Sequence, residues 1–294
     1  MSPCAQPLAP FAALFAQANF NQSPLARSHW QGRELLLLQT ANMQAVVSVQ
    51  GAQLLHFQPT GERPWLWCST LWPEKGPIRG GVPVCWPWFG PHASDKSLPA
   101  HGWARISQWQ LLDVLLEGEA LLLNWQLRCA DYQAQLQMRL GQACSLKLIT
   151  QNLGEQALPL SQALHAYWQV SFIDNACETS LADARYHDKL DDEHKQQLGA
   201  VRFNQPLDRV YFAEKALCLH DSVWHRQLLI DKHGSDSSVL WHPGRQGLAD
   251  APPVLAAGFV CAEVADGLAE PCVLQPGERT ELIMTAQSAP LVLE

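Results

Sequence analysis

The sequence has little charge, and most of the charge it has is negative. Charged residues make up 16% of the 294 positions, well below the roughly 25% of an average soluble domain. The formal net charge is −8, and no run of Lys and Arg occurs that could neutralise a phosphate backbone. We therefore expect no nucleic acid partner, and an anionic small molecule would need a few cations gathered around it.

Long apolar runs are also missing. No stretch approaches the ~20 apolar residues of a membrane-spanning helix, and the apolar start of the chain lacks the basic residues that open a signal peptide. The nine cysteines include no Cys-x-x-Cys pair, and their odd number leaves at least one unpaired within the chain. We expect a cytoplasmic protein with reduced thiols and no membrane association, and a monomer.

The familiar signatures of nucleotide and nucleophile chemistry do not occur. The sequence contains no Gly-x-Ser-x-Gly, no Gly-x-x-x-x-Gly-Lys and no Gly-x-Gly-x-x-Gly. None of the eleven histidines falls into a helical His-x-x-x-His pair, and His187 and His194 lie in a charged loop that would hold a metal poorly. We expect neither a metal nor a cofactor.

What the chain does contain is many short apolar or alternating runs, each bounded by Gly, Pro, Asn or Asp. Strands are predicted over "ELLLLQT", "QAVVSVQ", "EALLLNWQLRC", "AQLQMRL", "SLKLITQNL", "SSVLWHP", "GFVCAEV" and "ERTELIMTAQS". Helices are predicted only near 5–18 and, more weakly, near 190–198. Strands without intervening helices favour antiparallel sheets packed as a sandwich. The prediction is an all-β protein with few short helices, in a single domain over 1–294.

The segment 76–92, "GPIRGGVPVCWPWFGPH", is rich in Gly and Pro yet strongly aromatic. We interpret it as a stiff loop that presents Arg79. The two glycines after Arg79 are expected to let the backbone approach a ligand, and the aromatic run 86–89 to form a floor beneath the guanidinium. The structural alternative is a rigid corner between sheets.

Two polar residues interrupt apolar, strand-like runs. Glu263 lies in "GFVCAEVAD" and His165 in "SQALHAYWQV". A carboxylate in a buried strand is costly unless it has partners, and burial raises its pKa towards the range of a general base. From the pattern alone a hydrogen-bonded core histidine is the favoured interpretation of His165, whereas Glu263 is structural only if it lies at an edge.

Two further groups of polar residues stand out. His101 and Arg105 share "LPAHGWAR", and Asp208 and Arg209 are adjacent in "QPLDRVY". Neighbours in a strand point to opposite faces. A structural ion pair therefore explains either Asp208 or Arg209 more easily than it explains both.

Taken in order, these fragments resemble a known family. The motifs are "IRGGVPVCWPWFGPH", "LPAHGWAR", "LHAYWQV", "RYHDKL", "DRVY", "WHPG" and "FVCAEVAD". They are similar to those of the hexose-6-phosphate mutarotases, a branch of the aldose 1-epimerase superfamily, from about residue 30 to the C-terminus. The resemblance implies a large β-supersandwich with an open sugar cleft, and interconversion of the α and β anomers of a hexose 6-phosphate, with glucose 6-phosphate as the first choice.

Carried over by motif, the resemblance makes His165 the general acid and Glu263 the general base. Mutarotation removes the proton of the anomeric hydroxyl while the ring oxygen is protonated, so one acid and one base suffice. An ionised Glu263 and a protonated His165 are expected to coexist through their mutual attraction.

The resemblance also assigns residues to substrate binding. His101 and Asp208 would hold sugar hydroxyls, Arg79 would contact the phosphorylated substrate, and Arg105 would lie near the site. The family commonly has a lysine three residues before the motif arginine. This chain has Gly76 there, so the role of Lys75 in phosphate binding is open.

Two rival functions fit the same pattern. A β-sandwich glycoside hydrolase would use two carboxylates, with Glu263 and Asp208 as the obvious pair. A carbohydrate-binding protein without catalysis would bind the hexose and leave anomer exchange unchanged.

Overall fold

The structure is a computed structural model and describes residues 11–290. Its two helices are α1 (Phe11–Gln17) and α2 (Pro253–Ala256), and single 3-10 turns lie at Ala104–Ile106 and Ile173–Asn175. The strands are β1 (Leu25–Trp30), β2 (Arg33–Gln39), β3 (Met43–Ser48), β4 (Gln53–Pro59), β5 (Val84–Cys85), β6 (Gln110–Glu117), β7 (Ala120–Cys129), β8 (Tyr132–Leu140), β9 (Cys144–Asn152), β10 (Leu158–Leu160), β11 (Gln162–Leu164), β12 (Tyr167–Gln169), β13 (Ala176–Glu178), β14 (Arg185–Asp188), β15 (Glu193–Gln196), β16 (Val201–Arg202), β17 (Leu207–Tyr211), β18 (Leu217–Asp221), β19 (Arg226–His233), β20 (Ser237–His242), β21 (Phe259–Asp266), β22 (Cys272–Leu274) and β23 (Arg279–Pro290).

The predicted strands are confirmed, since all eight apolar or alternating runs lie in β2, β3, β7, β8, β9, β20, β21 and β23. Of the helix predicted near 5–18, α1 supplies the part from Phe11, and the first six positions lie outside the described residues. The prediction of a helix near 190–198 is wrong. That segment holds β15, which pairs with β14 in an edge hairpin. Its Glu, Lys and Gln residues favour a helix locally, but cross-strand contacts override this preference, including the His187 and His194 rings stacked 5.0 Å apart.

Two large antiparallel sheets dominate the molecule. One has the strand order β15-β14-β17-β20-β21-β11-β5, with β12 also paired to β21, and the other has the order β16-β13-β18-β19-β23-β9-β8-β7-β6. A four-stranded sheet β1-β2-β3-β4 and a β10-β22 pair complete the described part. This is the all-β, antiparallel supersandwich that the sequence predicts.

The main core includes side chains from Leu36 to Ala286 and so draws on all the larger sheets. Alternation along β11 and β21 assigns the two faces of the eight-stranded sheet. Leu164 and Val264 lie in the core, whereas their neighbours Ala163 and Ala265 belong to a separate cluster of small side chains. This shared core supports the prediction of one domain, which stays a prediction.

That second cluster, which we call the site face, consists of the small or medium-sized residues Cys85, Ala163, Val210, Val239 and Ala265. Phe89, Phe212 and Leu268 pack against this cluster from the loops around it. The eight cysteines of the described residues are all free thiols, and no helix there has the length and apolar character to cross a membrane.

Candidate active site

Glu263 projects from the middle of the eight-stranded sheet onto the site face. It lies on β21 opposite Val239 of β20 and two residues before Ala265, so all three share a face. The residue is fully buried, and neither carboxyl oxygen has a hydrogen-bond partner among the described residues. Buried polar groups are nearly always paired, so the unpaired carboxyl of Glu263 is an exception in this sheet and a candidate for contact with a ligand.

His165 lies where the chain leaves β11 and enters β12, both of which pair with β21. Its backbone N–H donates to the Pro83 carbonyl at 3.0 Å. The imidazole Nε2 is 3.2 Å from Glu263 Oε1, a contact without the alignment of a hydrogen bond. The ring stacks on Tyr167 at 4.9 Å, and Nδ1 has no partner in the described chain. A core histidine held in place by hydrogen bonds would not show this pattern.

The pKa shifts of Glu263 and His165 differ from those of the ion pair that the sequence analysis expects. Burial raises the pKa of Glu263 well above its usual range, and the charge of Asp208 adds to this, while Lys189 and Arg105 oppose it. Burial likewise lowers the pKa of His165. Desolvation disfavours both charged forms, so without substrate the neutral forms of both groups are favoured.

His101 faces the same region from the loop after 86–92. Its Nδ1 accepts a hydrogen bond from the Gly90 backbone N–H at 3.2 Å, so the neutral ring carries its proton on Nε2. Burial lowers the pKa of His101 to about 3, helped by the positive charges of Arg105, Lys189 and Arg79. A neutral His101 can therefore donate a hydrogen bond from Nε2 to a hydroxyl oxygen.

Asp208 and its neighbour Arg209 point to opposite faces of β17, as alternation predicts. Arg209 Nε donates to Asp188 Oδ2 at 3.0 Å, and that pair is largely buried and structural. Asp208 is opposite Trp241 in the register, and its Oδ1 is 3.7 Å from Lys189 Nζ. Burial raises the pKa of Asp208. The looser pair leaves the Asp208 carboxylate able to accept from a ligand.

Arg79 is more firmly held than expected. Its Nε donates to Asp250 Oδ1 at 2.7 Å and its Nη1 to Tyr167 Oη at 3.1 Å. The guanidinium carbon lies 5.9 Å from the ring centroid of Trp241. The aromatic contacts of Arg79 are thus Tyr167 and Trp241 rather than the run 86–89. Nη2 makes no hydrogen bond within residues 11–290, so it is the part of the fork available to a ligand.

The glycines after Arg79 also serve a structural purpose. A Cβ on Gly80 would stand 2.4 Å from the Cys68 Cα, and one on Gly81 would stand 2.1 Å from the Leu54 carbonyl oxygen. Both glycines have positive φ, at 118° and 61°. They let the loop pack against neighbouring backbone, as the structural alternative of a rigid corner expects, and ligand approach at these glycines stays a prediction.

Arg105 and Lys75 differ in their relation to the site. Arg105 Nη2 donates to the Ala100 carbonyl, next to His101, at 2.8 Å, and its buried Nε has no partner in the described chain. Lys75 is exposed, and within residues 11–290 it forms no ion pair or hydrogen bond with another candidate. No group of three or more potential metal-ligating side chains occurs in that part of the chain.

Three contributors were not singled out from the sequence. Trp241 opens the motif "WHPG" and Lys189 lies inside the motif "RYHDKL", so these motifs were the sequence signal for both. Asp250 comes from an irregular segment with no distinguishing pattern, so only the folded chain reveals that it holds Arg79.

Comparison with known proteins places these observations in a family. Residues 34–287 match the family model described as aldose 1-epimerase. The chain is 32% identical to a Salmonella typhimurium protein named "Putative glucose-6-phosphate 1-epimerase", over 81% of this chain and 85% of that protein.

Solved structures agree. A crystal structure of a "putative mutarotase" from Salmonella typhimurium superposes with a TM-score of 0.87 at 28% identity, covering 95% of this chain and 99% of the other. A galactose mutarotase-like protein from Clostridium acetobutylicum shares the fold, with a TM-score of 0.71 at 12% identity over 90% and 98% of the two chains. The chain therefore belongs to the aldose 1-epimerase family of isomerases.

Proposed function

We propose that this protein interconverts the α and β anomers of a hexose 6-phosphate, with glucose 6-phosphate as the first substrate to test. The observation that carries the proposal is the buried Glu263 carboxyl, unpaired and 3.2 Å from His165 Nε2 on the site face. Family membership supplies the class of reaction, and the name of the Salmonella relative suggests the 6-phosphate.

In the proposed mechanism the proton of the neutral Glu263 carboxyl first passes to His165 Nε2, 3.2 Å away, so that Glu263 is the base and His165 the acid. The carboxylate takes the proton of the anomeric hydroxyl while the imidazolium protonates the ring oxygen, and the bond between C1 and that oxygen breaks. The C1–C2 bond of the aldehyde then rotates. On closure the oxygen that belonged to the ring bonds to C1 again and gives its proton back to His165. The Glu263 carboxyl gives its proton to O1, so both groups return to the charge they had before ring opening. Ring opening leaves both groups neutral, which is the state that burial favours.

The surrounding residues suit a sugar phosphate. His101 would donate to a hydroxyl, Asp208 would accept from one, and the free Nη2 of Arg79 would bind the phosphate. Arg105 would lie beside the ring, and Lys75 would contribute only if its loop moved towards the ligand. A cytoplasmic location and a monomeric state stay predictions.

The decisive experiment is exchange spectroscopy by NMR on glucose 6-phosphate with and without the protein. We expect faster anomer exchange with wild type, and a loss of ~10²–10⁴-fold in Glu263→Gln, because Gln is close in shape but cannot take the proton. Glu270→Gln, which changes an exposed carboxylate, is the matched control. Activity of Glu263→Gln within about twofold of wild type would remove Glu263 as the base.

The same assay tests His165 and the rival functions. His165→Asn should lose turnover more than substrate affinity. Loss of folding in that variant, with no pH dependence of wild type near neutrality, would favour a structural His165.

Release of reducing sugar from an oligosaccharide would favour a glycoside hydrolase, and binding without faster exchange would favour a carbohydrate-binding protein.

A further inference from the structure

Lys189 connects the edge of the eight-stranded sheet to the loop on the other side of the site. It follows β14 in the β14–β15 hairpin, and its backbone N–H donates to the Asp208 carbonyl at 2.8 Å. Its Nζ lies 3.7 Å from Asp208 Oδ1 and 5.1 Å from the ring centroid of Phe89. Phe89 in turn packs edge-on against His101, with ring centroids 4.8 Å apart. The ammonium group is therefore held among residues of the candidate site.

The donors of this ammonium group are largely uncommitted. An ammonium has three N–H donors. Within residues 11–290 the only polar partner of Lys189 Nζ is Asp208, and 3.7 Å is too long for a hydrogen bond. The side chain is 34% exposed. Lys195 in the same hairpin is different, because it is paired with Asp188, Asp191 and Glu193. The hairpin thus carries one lysine in a charge cluster and one lysine facing the site.

The strand register places Lys189 away from Arg79. Asp208 is opposite Trp241, Trp241 is opposite Cys261, and Cys261 is opposite Tyr167, the residue that holds Arg79. Three strand spacings of ~4.8 Å separate Asp208 from Tyr167 by roughly 14 Å. The strand that Lys189 contacts and the strand that holds Arg79 are therefore well separated across the sheet, which suits contacts to different parts of a ligand.

We propose that Lys189 contacts the substrate and, together with Asp208, determines which hydroxyl configuration is accepted. A sugar hydroxyl both donates and accepts, so a carboxylate acceptor beside an ammonium donor can hold two neighbouring hydroxyls of one ring. An epimer with one hydroxyl reversed would satisfy only one of them, because the other group would lose its partner. This inference rests on the proposed function and deepens it by naming a specificity-determining residue.

Anomer exchange of glucose 6-phosphate and its 2-, 3- and 4-deoxy analogues tests the proposal. Lys189→Met keeps the apolar stem against Phe89 and removes the donors. We expect kcat/KM for glucose 6-phosphate to fall by about 10- to 100-fold, the value of a hydrogen bond to a charged group. For the analogue that lacks the contacted hydroxyl, wild type and variant should agree within about twofold. Lys195→Met should behave as wild type on every substrate.

Equal losses on all four substrates, or no loss on any, would overturn the role of Lys189. Should Lys189→Met fail to fold, Lys189→Leu replaces it, and thermal unfolding of each variant reports on folding. If wild type does not accelerate exchange at all, the proposed function fails. Calorimetric binding of glucose 6-phosphate and the deoxy analogues to wild type and Lys189→Met then judges Lys189 separately, by the same pattern of losses.

Discussion

Two buried, unpaired groups in the candidate site lower the stability of the folded protein. The carboxyl of Glu263 and Nδ1 of His165 are buried without partners in the described chain, and each such group typically costs about 1–3 kcal/mol. A protein retains that cost where a ligand supplies the missing partners. The same property made both residues visible in the sequence, since each is a polar residue within an apolar run.

Arg79 carries the prediction on phosphate selectivity. The net charge of −8 repels a sugar phosphate at long range, so recognition must be local. Arg79→Ala should lower kcat/KM for glucose 6-phosphate by roughly 10- to 100-fold, because a charge-assisted hydrogen bond is lost. Exchange of unphosphorylated glucose should change much less. Equal losses on both sugars would mean that Arg79 supports the loop or the ring, and the phosphate role would fail.

Residues that act through partners were harder to predict. Arg79 was expected from its loop, but Asp250, which accepts from its Nε at 2.7 Å, lies 171 positions away. Periodicity reports on burial within one strand and says nothing about such a partner. The same holds for Lys189, whose proximity to Phe89 depends on how the hairpin meets the loop.

At the scale of elements, the packing of helix α1 against the four-stranded sheet β1-β2-β3-β4 can be tested through one histidine. His56 on β4 packs against this helix. The centroid of its ring lies 5.5 Å from that of Phe11 and 6.5 Å from that of Phe15. Burial lowers the pKa of His56 to about 4. In the unfolded chain its pKa is about 6.5, so the unfolded state binds the proton more readily between these values.

It follows that His56 lowers the free energy of unfolding as pH falls from about 6.5 to about 4, and contributes no slope outside that window. We expect His56→Leu to remove about 1–3 kcal/mol of this pH-dependent loss. Urea unfolding at pH 7 and pH 4.5 measures it. The matched control is His29→Leu, which changes an exposed histidine on β1. Equal pH dependence in wild type and His56→Leu would contradict the packing of α1.

For the whole molecule, the shared core predicts cooperative unfolding. The main cluster joins residues from Leu36 to Ala286, so no large part of it can open without exposing the rest. We expect one transition, with coincident melting curves from far-ultraviolet and tryptophan signals and equal calorimetric and van't Hoff enthalpies. Two separated transitions would contradict the single domain predicted over 1–294.

At the scale of the whole molecule, the sequence predicts the fold class but not the order of the strands. Strand-sized runs without helices favoured antiparallel sheets, and that is confirmed. The strand order was not predictable, because β11 pairs with β21 across about a hundred residues and many alternative pairings bury the same apolar faces. The segment of β15 was predicted as a helix for the same reason, since only pairing with β14 makes it extended.

The position of Glu263 on a central strand, with Arg79 and Lys189 on peripheral segments, has a consequence for engineering. In the proposed mechanism, bond breaking belongs to the rigid middle of the sheet, whereas substrate choice belongs to a loop and an edge hairpin. Libraries confined to 76–92 and 185–196 should then yield new substrate ranges while the reaction itself is inherited unchanged.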